Sequence, residues 1–448
     1  MTFYLNKLSV ALAAGDLTAR ALTETCLSAI ATEDGKRAFI EVFTDRVRIE
    51  ADQIDKARQA GYALPPFAGI PLSIKDLFDL RGEVTRAGSI VLADGTTATA
   101  DALVVARLKA AGFILIGRTN MTEFAFSGLG MNPHYGNPRS PFERDVDGGR
   151  VAGGSSSGSA VSICDRMAPA TIGSDTGGST RTPAAFCGIV GLKPTSTRMP
   201  GDGIYPLSNS FDAAGPMSNS VECAAIMDSI MAGGDGIAET PIPLNGLRLA
   251  MPIGYLFDEL DDAVANSFNE AVQRLSAAGA KISEISLNIV EDLRPANNPK
   301  SIVAAEAFAL HRDLLQSDEH HKYDPFVASR ISSGSNILAA DYIDQFKIRK
   351  KTMQLVQQQT RPYDALLMPT SPLVPPKIKA LSTIETKMKM NGMALRNTAL
   401  ANFLDRPTIS IPCHKSGSAP VGLSIMGSHK HDRRLLAIAA GAEAVIRA

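Results

Sequence analysis

The sequence predicts an α/β fold. Short apolar runs at 71–74, 113–116, 189–192, 247–251, 281–287, 365–368, 408–411 and 422–426 alternate with longer segments whose apolar residues recur at helical spacing. The 448 residues are 45% hydrophobic and 20% charged, ordinary values for a chain that buries a large core. No polar stretch is long enough to separate folding units, so one domain spanning residues 1–448 is expected.

The elements follow in order. Residues 5–31 read as one or two helices with a break at Gly15-Asp16. Residues 45–60 form a polar amphipathic helix stopped by Gly61. Pro65-Pro66 opens a turn into GIPLSIKD, a buried strand at 71–74 that delivers Lys75. A helix over 101–111 leads to a strand over 113–116. TNMTEFAFSGLGMNPHYGNPRSP, from 119 to 141, is rich in Gly, Pro and Asn and reads as a long ordered loop bordering a cleft. Residues 200–216 read as loop, 221–231 as helix, and 262–278 as a helix between the strands 247–251 and 281–287. Residues 302–361 read as mostly helical with a Ser/Gly interruption at 332–335, and 432–446 as a closing amphipathic helix.

The most unusual stretch is GGSSSGSAVSICDRMAPATIGSDTGGSTRTP, from 153 to 183. Two Gly-Gly-Ser clusters place Ser155 and Ser179 in equivalent positions, 24 residues apart, with a small-residue helix and then a strand between them. Paired glycines let a backbone approach a ligand closely, and successive N–H groups in such a turn can converge on one anion. A serine ending the turn would stand beside an oxyanion site. A flexible linker would not carry Ile163, Ile172, Asp175, Arg181 and Pro183 among its glycines. The P-loop and GxGxxG patterns are both missing here, which argues against nucleotide binding.

Bulk properties narrow the classes. Forty-five basic and 46 acidic residues balance to a net charge of −1, which argues against a broad nucleic-acid surface. Cys26, Cys164, Cys187, Cys223 and Cys413 are scattered and never spaced as CxxC; free thiols in a reducing compartment fit better than a disulfide frame or zinc site. His320–His321 and His429/His431 lie beside no ligand set at metal spacing. No metal and no cofactor are therefore expected. No apolar run reaches the ~20 residues that span a bilayer. The start carries Lys7 and a short apolar segment, as a secretory leader would. Leu5, Leu8, Leu12 and Leu22 nevertheless suit a helix face, and Asp16 interrupts the run. An untargeted cytoplasmic protein, not bound to membrane, is expected.

Hydrolysis of an acyl–nitrogen bond needs a nucleophile, a base, donors for the oxyanion and a proton for the leaving amine. Neither glycine cluster contains a histidine; His134, on the long loop, is the nearest in sequence. Lys75 has two readings at this point. It is a solvated lysine at a strand end, paired with Asp76 or Asp79. Alternatively, it is held neutral among Ile70, Leu72, Ile74, Leu77 and Phe78 and serves as the base.

The stretch resembles the amidase signature family. Residues 153–158 match its Gly-Gly-Ser-Ser-Ser/Gly-Gly element and 175–183 its Asp-x-Gly-Gly-Ser-x-Arg-x-Pro element. GIPLSIKD resembles the family's lysine strand, TNMTEF and NPHYGNP its cleft loop, and DRPTISIPC and PVGLSIMG its C-terminal strands. Residues 60–230 and 395–446 are well covered and 290–390 only loosely. The resemblance implies a central mixed, twisted β-sheet covered by helices on both faces. It implies Ser179 as nucleophile, Ser155 as bridging serine after a cis peptide, and Lys75 as base. Thr176, Gly177, Gly178 and Ser179 would supply oxyanion N–H groups. Asp175 and Arg181 would brace the turn, and Ala125 and Ser127 would touch substrate. Thr180 and Cys164 depart from the family pattern, where an aliphatic residue and a small residue respectively are common.

The implied activity is hydrolysis of a small-molecule amide, ester or carbamate through a seryl acyl-enzyme, without cofactor. A homodimer is compatible with this reading. One alternative is the glutaminase subunit of a tRNA-dependent amidotransferase; another is a non-catalytic binding protein. The apolar side chains Phe308, Leu310, Phe326, Ile331, Ile337 and Tyr342 suit a partly apolar acyl pocket built by residues 290–390 and the 125–139 loop, and core packing explains them equally well.

Overall fold

The computed structural model describes residues 3–293 and 300–447. Residues 294–299 of the expected pocket region lie outside the described residues. Eleven strands form one sheet: β1 (Phe39–Val42), β2 (Pro71–Lys75), β3 (Ile114–Thr119), β4 (Ala170–Ser174), β5 (Val190–Lys193), β6 (Ala214–Ser218), β7 (Arg248–Ile253), β8 (Lys281–Ser286), β9 (Ala365–Pro369), β10 (Thr408–Pro412) and β11 (Gly422–Met426). Their spatial order is β1-β3-β2-β4-β6-β5-β10-β11-β9-β7-β8. Pairing is parallel for β3-β2-β4 and β9-β7-β8 and antiparallel elsewhere, so the sheet is mixed.

Every residue of β2, β3, β4, β5, β6, β9, β10 and β11 is buried. Strands buried at successive positions need cover on both faces, and their continuous apolar runs reflect it. The helices Ser157–Cys164 and Arg181–Cys187 pack on each other and on the central strands. Val221–Met231 and Asp432–Ile446 form a second packed pair on the sheet. One large cluster gathers Leu72, Ile74, Val104, Ile116 and Ile172; a second gathers Val190, Leu249, Phe268, Ile409 and Ile438. Each such side chain contributes roughly 1.5–3 kcal/mol on burial.

Local chemistry sets the boundaries. The expected break falls at Gly15, whose φ of 79° is left-handed and closes the helix Leu5–Ala14. Thr18 then caps Ala19–Ile30 by accepting from the Ala21 N–H. Ser220 caps Val221–Met231 in the same way, and Asp324 with Pro325 opens Pro325–Ser332. One expectation is corrected: the end of the 200–216 loop lies in β6, between β4 and β5. Its AGPMS sequence hides it, since Gly and Pro are disfavoured in sheet interiors and signal turns. β1 and the helices Ile384–Leu395 and Thr398–Phe403 carried no clear sequence signal. Among the described residues no helix is long and apolar enough to cross a membrane.

Candidate active site

β2 runs parallel to β4, with Ile74 opposite Ile172, so both strands end at the same edge of the sheet. Such carboxyl ends are where α/β sheets present reactive groups. Lys75 closes β2 and Ser174 closes β4. The Lys75 side chain is fully buried. Its Nζ donates to Ser155 Oγ at 2.7 Å and to Ser174 Oγ at 2.8 Å. Burial pushes the amine down from 10.5 to about 7, opposed by the charges of Asp212 and Asp175. The solvated, ion-paired reading of Lys75 is thereby excluded: Asp76 instead faces Arg118 at 3.5 Å.

Ser155 follows a cis Gly154–Ser155 peptide and starts the turn that enters the helix Ser157–Cys164. The neighbouring Ser156 N–H donates to the Ser179 carbonyl at 3.3 Å, which ties the two serine turns together. Ser179 itself sits at the end of the turn that leaves β4. Its Oγ makes no hydrogen bond within the described protein and borders a cavity of about 150 Å³.

Asp175 shapes that turn. Its carboxylate accepts from the N–H groups of Gly178 at 2.9 Å and Thr180 at 3.1 Å, from Asn402 Nδ2 at 2.9 Å, and from both ends of the Arg181 fork at 2.8 and 3.0 Å. Burial raises the Asp175 carboxyl, but the adjoining Arg181 guanidinium outweighs it and holds the group well below the usual carboxylate range. Thr180 Oγ1 adds a donor 2.9 Å from the same carboxylate, which gives its departure from the family pattern a structural use. Gly178 has φ 135°, and a Cβ there would lie 2.1 Å from Thr398 Oγ1. No larger residue fits.

The four N–H groups expected to meet the oxyanion differ in their present partners. The Gly178 N–H is occupied by Asp175. Those of Thr176, Gly177 and Ser179 have no acceptor within the described protein. Three N–H groups of the turn are thus without an acceptor among the described residues, and the fourth serves the Asp175 brace.

Ala125 and Ser127 line the same 150 Å³ cavity as Thr176, Gly177 and Ser179. Phe124 and Ala125 take left-handed φ of 50° and 60°. Ser127 Oγ donates to Asn391 Oδ1 at 3.1 Å. His134 is not among these groups; its Nε2 lies 2.9 Å from Glu123 Oε1. The cavity continues into a larger one of about 370 Å³, with Thr176, Gly177, Ser301, Val303, Arg330 and Leu395 common to both. None of the six apolar side chains expected to build an acyl pocket lines either cavity. Phe326 and Ile331 are instead buried in core clusters, and Leu310 is exposed.

Sequence reasoning missed several neighbours. Asp212 accepts from Thr176 Oγ1 and from the Leu207 and Ser208 N–H groups at 2.9 and 3.0 Å. Burial raises its carboxyl to about 6 against those donors and Lys75. It lay in a Ser-rich loop with no periodicity to mark it. Thr398 and Asn402 hold the turn from a helix more than 200 positions away. Arg330 sat unremarked on an amphipathic helix, where arginine is ordinarily solvated.

Residues 21–436 match the family model described as Amidase, and the chain belongs to that family. It is 34% identical over 444 residues to 2-amino-5-chloromuconic acid deaminase of Comamonas testosteroni, covering 96% of this chain and 93% of that one. It is 32% identical to a glutamyl-tRNA(Gln) amidotransferase subunit of Marinobacter nauticus, covering 96% and 95%. A crystal structure of an amidase superposes with a TM-score of 0.87 at 30% identity, over 98% of this chain and 99% of that one. The protein is a hydrolytic amidase with the mixed-sheet fold of that family.

Proposed function

We propose that the chain hydrolyses a small linear amide through an ester on Ser179, with Lys75 as the base and Ser155 as the carrier of the proton between them. The supporting observation is a fully buried lysine, pushed down to about 7 by that burial, 2.7 Å from a serine hydroxyl. A neutral Lys75 can take the Ser155 proton while Ser155 takes that of Ser179. Ser179 Oγ then attacks the carbonyl. The oxygen that becomes negative is met by the free N–H groups of Thr176, Gly177 and Ser179, fixed before the reaction begins. Lys75, now charged, returns its proton through Ser155 to the leaving nitrogen, and the C–N bond breaks. Water enters by the same relay and releases the acid.

Replacing Ser179 with Ala tests this. The expected result is a folded protein whose amide turnover falls by roughly 10⁴-fold or more, and which no longer takes a fluorophosphonate label. Turnover at the parent rate would refute the assignment. A second reading, supported by the amidotransferase subunits among the relatives, passes ammonia to a partner protein. Free ammonia from glutamine, produced only on adding such a partner, would favour it. The five free cysteines, four of them buried, support a reducing compartment such as the cytoplasm.

A further inference from the structure

The loop 207–212 brings Asp212 to the serine turn just before β6 begins. The loop closes on itself. The Asp212 carboxylate collects the Leu207 and Ser208 N–H groups at 2.9 and 3.0 Å. The Ser208 carbonyl accepts from the Phe211 and Asp212 N–H groups at 3.0 and 2.9 Å. The same carboxylate also takes the hydroxyl of Thr176, whose own N–H is one of the three left for the oxyanion.

Two helices from later in the chain hold this closed loop, Ile302–Gln316 and Ala339–Thr360. Glu306 lies on the first. Its Oε2 accepts from Ser208 Oγ at 2.5 Å and from the Ser210 N–H at 3.1 Å. Its Oε1 accepts from Ser210 Oγ at 2.5 Å and from the Tyr342 hydroxyl, on the second helix, at 2.8 Å. Four donors are as many as the two oxygens of a carboxylate readily take. Arg349, also on the second helix, donates Nη1 to the Ser210 carbonyl at 3.1 Å and lies over the Phe211 ring, 4.2 Å from its centroid. It is the cation that faces Glu306. Burial raises the Glu306 carboxyl, but the Ser208, Ser210 and Tyr342 donors outweigh it and hold the group below the usual carboxylate range. Glu306 is therefore an anion at neutral pH.

Only one residue separates the two carboxylates. Ser208 gives its hydroxyl to Glu306 and its N–H to Asp212. Asp212 in turn holds Thr176 and, with Asp175, is one of the two anions that face Lys75. Glu306 itself lines neither cavity beside Ser179.

We propose that Glu306 is a positioning residue for this site: by holding Ser208 and Ser210 it keeps the Asp212 carboxylate on Thr176 and beside Lys75. This rests on the roles proposed for Lys75 and for the oxyanion turn.

Glu306→Ala frees the loop. Lys75 then loses part of an attraction that favours its charged form, so the midpoint of its ¹³Cε titration should fall by about 0.5 pH unit or more. The acidic limb of the kcat/KM–pH profile should move down with it. The displaced Thr176 should lower kcat about tenfold or more. Glu306→Gln loses the same charge but keeps an acceptor for the Ser210 N–H and polar partners for the hydroxyls, so it should shift the midpoint much less. Added to Asp212→Asn, Glu306→Ala should shift it no further. Ser208→Ala with Ser210→Ala cuts the same tether from the loop side and should shift the midpoint in the same direction, which keeps the test open if Glu306→Ala does not fold. A midpoint that stays or rises, equal shifts in Glu306→Ala and Glu306→Gln, or a shift that adds to that of Asp212→Asn overturns the proposal. A midpoint that falls while the kinetic limb stays in place supports the placement of Asp212 by Glu306 and refutes Lys75 as the base, so the two errors give different results.

Discussion

Replacing Lys75 with Met should separate stability from activity in a way that depends on pH. Methionine keeps most of the side chain's volume and removes its charge. In the unfolded chain the lysine titrates near 10.5; in the fold it titrates near 7. Between those values the folded state holds fewer protons than the unfolded one, so the parent gains stability as pH rises from 7 to 10.5. Below 7 the full cost of the buried charge is present, about 5 kcal/mol at ~1.4 kcal/mol per pH unit. At pH 9 about 2 kcal/mol of it remains by the same arithmetic. Lys75→Met escapes this cost but leaves Ser155 and Ser174 each without a partner, at about 1 kcal/mol apiece.

The variant is therefore expected to be more stable than the parent by about 3 kcal/mol at pH 6 and about equal to it at pH 9. Its kcat/KM should fall by about 10²–10⁴-fold, the range for losing a general base. Equilibrium urea unfolding at the two pH values measures the first quantity. The difference between them, about 3 kcal/mol, does not depend on the hydrogen-bond offset. A stability difference that stays flat from pH 6 to 9, or an active variant, would refute the reasoning.

Two further predictions follow from the same site. Asp212→Asn removes an anion that raises the Lys75 pKa, so the acidic limb of the kcat/KM–pH profile should move to lower pH; an unmoved limb, or one moved upward, would count against it. Gly178→Ala forces a Cβ into Thr398 Oγ1, 2.1 Å away, at a φ of 135°. Activity should drop about 100-fold or more, as expected when the oxyanion donors are displaced, while a full-rate variant would show that the turn need not hold this shape.

What could be read from the sequence was what is local in the chain. The turn 176–179, its Asp175 and Arg181 braces, and the lysine at the end of a buried strand each sit within a few residues of the feature that reveals them. Ala125 and Ser127 likewise lie beside the cavity because the loop that carries them is one continuous motif. Hidden were the groups that arrive from elsewhere: Asp212 from the approach to β6, Arg330 from a helix, and Asn391, Thr398 and Asn402 from the segment before β10. Nothing in their own neighbourhoods distinguishes them from solvated polar residues. Residues of 290–390 and of the 125–139 loop do line the cavities, and the six apolar side chains singled out are absent from the lining for the matching reason. Phe326 and Ile331 are apolar because they fill the core, so composition alone could not say which face of their helix met the cavity.

For Ser155 to pass a proton from Ser179, the Lys75 amine must lose its own proton near neutrality. Titration of the lysine side chains by NMR, with ¹³C at Cε and Lys75→Met to assign the signal, reads that directly. The account predicts a Lys75 resonance that shifts with a midpoint near 7. A resonance that stays in the charged position up to pH 10 would contradict it.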